Sequence, residues 1–223
     1  MKNNQWNRFK LTNIKPFSGN VFRADYLINL LKKYLKKDGF ILNIGVGDGL
    51  YDLLISKYFS NHFSYDIDLS SLQNIQKINR TLVNGFAQKL PFSDNSFDGI
   101  LIAEVLEHIS KADRQKTLLE FQRVIKKNGS LIISVPFKEN LYYNTTYCPE
   151  CQHSFHSWGH IDTFDTEKII LELKEANFTI STCVTKTFHG KTNIMAIAAA
   201  IIKVIKGDFF QPVQPTIVIV AKK

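Results

Sequence analysis

Apolar and polar positions along this chain follow two periods, and the switches between them mark the elements. Over residues 21–37, Leu27, Leu30, Leu31, Tyr34 and Leu35 recur at helical spacing, with Lys32, Lys33, Lys36 and Lys37 outside. That predicts an amphipathic helix. The apolar run Phe40-Ile41-Leu42-Asn43-Ile44 then predicts a short buried strand. It breaks at Gly45-Val46-Gly47-Asp48-Gly49 and resumes as an apolar helix through Leu50, Leu53 and Leu54, to about residue 59. Further strands are predicted at 62–66, 81–83, 96–103, 130–135, 178–187 and 216–221. They alternate with helices at 70–79, 111–127, 163–176 and 193–206. Asn128-Gly129 reads as the stop signal of the 111–127 helix, and Thr163 or Asp165 as the cap of the next. This alternation argues for an α/β fold, a mostly parallel sheet with helices on both faces.

Length limits the organisation: 223 residues build one sizeable core. A single domain over 21–223 is expected, with a Cys/His-rich insert at 137–162. Residues 1–20, carrying Trp6, Phe9 and Phe17, form an entry segment expected to act as a lid. Composition is that of an ordinary soluble protein, 44% hydrophobic and 22% charged. The polar start shows no secretory pattern, and the longest apolar run, 194–202, falls short of the ~20 residues that span a bilayer. That run, flanked by Lys191, Lys203 and Lys206, reads as a buried helix ahead of an interfacial one. Three cysteines, an odd number, argue against a disulfide framework and for a reducing, cytoplasmic setting. The net charge of +8 is dispersed, which favours a solvated lysine-rich face over a nucleic-acid groove and leaves room for an anionic substrate.

The glycine turn carries the chemistry. A glycine-rich strand-to-helix turn sets bare backbone N–H groups and a helix start against a ligand, where negative charge is favoured. The dinucleotide fingerprint needs glycine where this chain has Leu50, and no Gly-Lys-Ser/Thr follows to cradle a triphosphate. The second strand ends in Asp66-Ile67-Asp68, placing a carboxylate to accept from a ribose diol. Together these suit a nucleoside that bears a carboxylate in place of a pyrophosphate. Asp68 reads as the cap of the following helix.

Four motifs, LNIGVGDG, YDIDLSSL, NGFAQKLPFSDNSFDGILIAEVLEHI and RVIKKNGSLIISVP, stand in order between residues 40 and 136. On them the chain resembles the class I S-adenosylmethionine-dependent methyltransferases, in particular small-molecule enzymes with an LPF…FD…LEH pattern. The resemblance implies a Rossmann-like, seven-stranded, mostly parallel sheet with an antiparallel last strand, and S-adenosylmethionine as cofactor. It implies backbone around Gly45, Gly47 and Gly49 holding the methionine part, Asp66 on the ribose, and Ala87 and Gln88 at the adenine. Two positions depart from the family pattern. Asn43 stands where relatives usually have an acid, and Phe86 where they usually have an aspartate.

After the fourth strand comes Glu104-Val105-Leu106-Glu107-His108, where open α/β sheets place their ligands. A helix there sets Glu104, Glu107 and His108 at i, i+3 and i+4 on one face. Two carboxylates and an imidazole suit a Mg²⁺ or Mn²⁺ type of site. The E-x-x-E-H signature resembles that of metal-assisted ubiquinone-pathway O-methyltransferases and RNA 3′-terminal 2′-O-methyltransferases. His108 as general base is an equal reading, and a plain helix start is a third.

In the insert, Cys148-x2-Cys151-x4-His156-x3-His160 has the spacing of a structural zinc knuckle, with His153 competing for the third position. A redox Cys pair, or a substrate wall in which His160 joins the acidic cluster, are the rivals. Three functions are carried forward. The first is methyl transfer to oxygen of a small-molecule, glycan or lipid-intermediate acceptor. The second is metal-assisted RNA methylation, and the third a binding module that kept the fold without catalysis.

Overall fold

Strands that are buried at almost every position form the centre of the molecule, as expected for a sheet covered on both faces. The computed structural model describes residues 18–188 and 214–223. Seven strands make the sheet: β1 (Phe40–Ile44), β2 (Asn61–Asp66), β3 (Leu82–Asn84), β4 (Phe97–Ala103), β5 (Ile125–Pro136), β8 (Thr179–Lys186) and β9 (Thr216–Lys222). Their spatial order is β3-β2-β1-β4-β5-β9-β8. β1 to β5 pair in parallel, and β9 runs antiparallel between β5 and β8. The fold expected from the alternation is therefore present.

Side chains leave each strand alternately up and down, so neighbouring residues feed two cores. Ile41, Leu101, Ile132 and Val218 pack with Leu27, Leu31 and Ile55 from α1 (Ser18–Tyr34) and α2 (Leu50–Tyr58). Leu42, Ile44, Ile100 and Ile133 pack on the other face with Leu118, Phe121, Ile169 and Leu173 from α4 (Lys111–Val124) and α5 (Thr166–Glu175). Between β1 and β4 the strand order reverses, which opens a crevice at the carboxyl ends of the strands.

Several boundaries differ from the sequence reading. The helix expected at 70–79 is α3 (Leu69–Asn74), and that expected to reach 127 ends at Val124. Backbone bonds from Asn95 N to Arg123 O and from Ser96 N to Val124 O draw the chain into the sheet ladder early. Asn128-Gly129 thus lies inside β5, at a register shift against β4, and not at a helix end. Asp165, not Thr163, caps α5 by accepting from Lys168 N. Between β5 and α5 the chain leaves the sheet and forms a hairpin, β6 (Thr145–Tyr147) with β7 (Ser154–His156). Residues 1–17 of the expected lid and the helix expected at 193–206 lie outside the described residues. No helix among the described residues is long and apolar enough to cross a membrane.

Candidate functional site

The crevice has two sides, one built by β1 and β2 and the other by β4, β5 and the hairpin. On the first, the turn after β1 holds Gly45 at φ 84°, and a Cβ there would sit 2.4 Å from Val105 Cγ2 in the turn after β4. Only glycine lets the two turns pass. Gly47, at φ 56°, has nothing within 4 Å of where its Cβ would be, so its backbone faces open space. Asp66, half-buried at the tip of β2, accepts from Val46 N at 2.7 Å and from Asp68 N at 2.8 Å. It clamps the turn to β2 and, with two lone pairs per oxygen, keeps acceptor capacity for a diol. Burial, against these hydrogen bonds, leaves its pKa raised. Asp68 caps α3 by accepting from Ser70 N and Ser71 N. Ala87 and Gln88 lie half-buried in the turn after β3, next to Phe86, whose ring is exposed. A bond from Gly85 N to Asp66 O, and one from Tyr65 Oη to Phe86 O, hold that turn beside β2.

Under the glycine turn lies a polar group that the sequence reading missed. Asn43, fully buried, donates from Nδ2 to Asp52 Oδ2 at 2.9 Å, while its Oδ1 has no hydrogen-bond partner. Asp52, on α2, also accepts from Ser64 Oγ and is fully inaccessible. Burial, only partly opposed by these donors, raises its pKa to about 6. The signal available was an acid in the apolar run Leu50-Tyr51-Asp52-Leu53-Leu54. It places an acid directly behind Asn43.

On the second side the predicted helix over 104–108 is corrected. Glu104 extends the ladder, its N–H on Ser134 O at 2.9 Å, and then takes a left-handed φ of 54°. Only Leu106–His108 form a turn of 3-10 helix. Glu104 therefore does not share a helical face with Glu107 and His108. Its carboxylate accepts from Arg23 Nη1 at 3.0 Å and from Ser134 Oγ at 2.8 Å. Arg23, from α1, also donates to Tyr51 Oη at 3.3 Å, and neither Arg23 nor Ser134 was singled out in the sequence.

Glu107 is the outlier of the site. It is 1% exposed, and neither carboxylate oxygen has a hydrogen-bond partner. Burial first, and then the Glu104 charge, raise its pKa well above the ordinary value. His108 Nδ1 lies 3.1 Å from Gly159 O, which makes Nδ1 the donor and leaves the lone pair on Nε2. Burial, and then the neighbouring His160, lower its pKa to about 4.

The hairpin brings the remaining groups. Ile161 N and Asp162 N both donate to the backbone oxygen of Glu107, at 2.9 and 3.3 Å, so the insert returns along the turn after β4. His160 Nε2 stands 3.9 Å from Glu107 Oε1, and its ring meets that of His108 edge-on at 4.7 Å. His156 stacks on His160 at 4.6 Å. Glu139, just past β5, accepts from His160 Nδ1. Buried Arg114 on α4 fastens the assembly, with two bonds to Glu172, one to Asp162 and one to Ile109 O.

The four expected zinc ligands do not converge. Two groups of ligand atoms lie within 4.8 Å of one another among the described residues, Glu107/His108/His160 and Glu139/His156/His160, and neither includes a cysteine. Hairpin register gives the reason: Thr145 pairs with His156 and Tyr147 with Ser154. Cys148 is thus three residues along the hairpin from His156, ~10 Å at the rise of a strand. Cys148 is buried, and Cys151 and His153 are exposed at the tip.

Residues 42–133 match a family model described as a methyltransferase domain. A solved S-adenosylmethionine-dependent methyltransferase from Methanosarcina mazei superposes with a TM-score of 0.65, covering 87% of this chain and 96% of its own, at 18% identity. The fold is that of a class I methyltransferase. Among curated proteins, an uncharacterized protein of Methanocaldococcus jannaschii is 36% identical over 113 residues, 50% of this chain and 48% of its own length. The demethylmenaquinone methyltransferase of Thermotoga maritima is 30% identical over 115 residues, 44% of this chain and 49% of its own length. The chain thus spans about half the length of the curated relatives it matches. The same fold also superposes on a 4+2 cyclase, with a TM-score of 0.64 at 18% identity, covering 90% of this chain and 81% of its own. Activity therefore has to be argued from the site.

Proposed function

We propose that the chain is an S-adenosylmethionine-dependent methyltransferase acting on an acceptor oxygen with the help of a divalent cation. The observation that carries the second half is Glu107, a fully buried carboxylate with no hydrogen bond, facing the ligand atoms of His108 and His160. A carboxyl in such a place is neutralised either by a proton, as its raised pKa describes, or by a cation, and the adjoining imidazole nitrogens offer a cation its further ligands. Two imidazoles and a carboxylate suit a first-row divalent cation such as Mn²⁺, with open positions for an acceptor hydroxyl, better than the oxygen-seeking Mg²⁺. A base with a pKa of about 4 is poorly matched to removing a hydroxyl proton near neutral pH, which favours His108 as ligand over His108 as base.

The residues present also fit the cofactor. Bare backbone at Gly45 and Gly47 suits its amino-acid tail, the unpaired Asn43 Oδ1 its ammonium, and Asp66 its ribose, while Gly49 is packed on Ile75 and shapes the turn from behind. Ala87 and Gln88 would border the adenine. Bound, the cofactor supplies a methyl group on a sulfonium, already activated for displacement. The chain's own work is orientation, which accounts for ~7–11 kcal/mol of barrier in well-aligned bimolecular reactions. Glu104, held by Arg23 and Ser134, shapes the acceptor side.

Calorimetry on metal-free protein tests both halves. S-adenosylmethionine should bind, and Asp66→Ala should weaken it at least ~10-fold, the loss expected when a buried acceptor pair goes. Mn²⁺ should bind too, and Glu107→Gln should weaken Mn²⁺ without changing cofactor affinity. No cofactor binding would sink the methyltransferase reading; cofactor binding with no Mn²⁺ binding would sink the metal alone. An RNA acceptor is the second reading, favoured by Tyr142, Tyr143 and Tyr147, which stand exposed on and beside the hairpin as stacking platforms. Salt-dependent binding of single-stranded RNA, lost with the three tyrosines changed to alanine, tests it.

A further inference from the structure

Two carboxylates flank His160, and they differ in one respect. Glu107 has no hydrogen-bond partner on either oxygen. Glu139, 8% exposed, is supplied on both: Oε2 accepts from His160 Nδ1, and Oε1 from Asn144 Nδ2 at 3.3 Å. His156 stands beside it: its Nδ1 accepts from the backbone N–H of His160 at 3.1 Å, and its Nε2, 3.5 Å from Glu139 Oε1, makes no hydrogen bond. Glu107 is thus the carboxylate with acceptor capacity to spare, and Glu139 is committed to the His160 ring and to Asn144.

We propose that Glu139 is a positioning residue, which fixes His160 with Nδ1 protonated and the Nε2 lone pair turned toward Glu107. A carboxylate behind a liganding imidazole sets its tautomer, its orientation and its basicity. Glu139 is well placed for this because the two residues before it are fastened. Phe137 N donates to Pro215 O at 2.8 Å, and Lys138 N to Phe164 O at 2.6 Å, which ties the segment to the sheet and to the entry of α5. The His160 backbone is itself fixed through His156 Nδ1 and through the adjoining Ile161–Glu107 bond. One carboxylate anchored just past β5 thereby aims a ring supplied from beyond the hairpin. The role in cation binding rests on the metal reading above; the tautomer does not.

Nitrogen-15 spectra of the histidine rings, recorded on the metal-free full chain, read the tautomer directly. His160 should show a protonated Nδ1 and a bare Nε2, and Glu139→Leu should convert it to a mixture of tautomers. Glu139→Gln, which keeps an acceptor, should restore most of the wild-type pattern. In Mn²⁺ titrations Glu139→Leu should bind ~10–100-fold more weakly, the range seen for lost outer partners of metal-bound histidines. S-adenosylmethionine affinity, unchanged in both variants, reports that the fold is intact. If no protein binds Mn²⁺ but the tautomer changes as described, Glu139 still positions His160 and the metal reading alone falls. A wild-type His160 with its proton on Nε2, or one whose tautomer survives Glu139→Leu, would overturn the proposal.

Discussion

Replacing Asp52 by asparagine should stabilise the protein, and only above the pH at which the aspartate would ionise. Asp52 is fully inaccessible and has its pKa raised from an ordinary 3.8 to about 6, chiefly by burial. The folded form therefore binds a proton more tightly than the unfolded chain does. Below about pH 4 both forms are protonated and the group is neutral in its effect. As pH rises from 4 to 6 the unfolded chain ionises first, and folding stability falls. At about 1.4 kcal/mol per pH unit, the loss is complete near pH 7 at ~3 kcal/mol. Asparagine cannot ionise, and its amide can be matched if Asn43 turns over, presenting the Oδ1 that now has no partner. Urea unfolding of both proteins between pH 4.5 and 8 gives the test. The stability of Asp52→Asn minus that of wild type should climb by ~2 kcal/mol over that range, the part of the linkage that lies above pH 4.5, whatever constant offset the changed hydrogen bonds add. A difference that stays flat, or falls, would show that Asp52 ionises freely in the folded protein.

Gly45→Ala should cost at least ~2 kcal/mol, since it combines a left-handed backbone with a methyl 2.4 Å from Val105 Cγ2. Adding Val105→Ala should recover the steric part in thermal melts; no recovery would mean the backbone alone is at fault. Arg114→Met should destabilise by ~3–5 kcal/mol, because it leaves Glu172 and Asp162 facing an apolar side chain. A urea midpoint close to wild type would show that those carboxylates find other partners. Cys148→Ser should leave the bound-metal content of the purified protein unchanged, as measured by elemental analysis. Loss of metal in that variant would restore the cysteines as ligands.

What could be read in the sequence was whatever is decided locally. Apolar runs such as Leu131-Ile132-Ile133 become buried strands wherever they lie in the sheet, and the glycines of the first turn carry positive φ as that turn requires. Asp68 caps its helix with atoms two and three residues away. What was misread is decided at a distance. Residues 104–108 have helical spacing, but Glu104 still follows the sheet ladder, bonded to Ser134 thirty residues on, and its left-handed φ turns the chain before the 3-10 turn begins at Leu106. The Cys/His spacing looked like a knuckle because spacing is silent about hairpin register, and register places His156 three residues from Cys148 along the strand direction. Glu139 and His160 meet across 21 residues, with no motif to announce it. Asp52 lay unnoticed because an acid in a helix ordinarily faces water, and only the packed α2 against β1 and β2 shows that this one does not.

The segment between β5 and α5 supplies Glu139, His156 and His160, while the turn after β4 supplies Glu107 and His108. A cluster split in this way behaves as a lock whose two halves are coded by separate stretches of gene. Lengthening or exchanging the hairpin alters which molecules reach the crevice, and every such change is screened at once by whether His160 still lands between its two carboxylates. New acceptor preferences should therefore arise at the hairpin tip, around Cys151, where the chain is exposed, and not at its base.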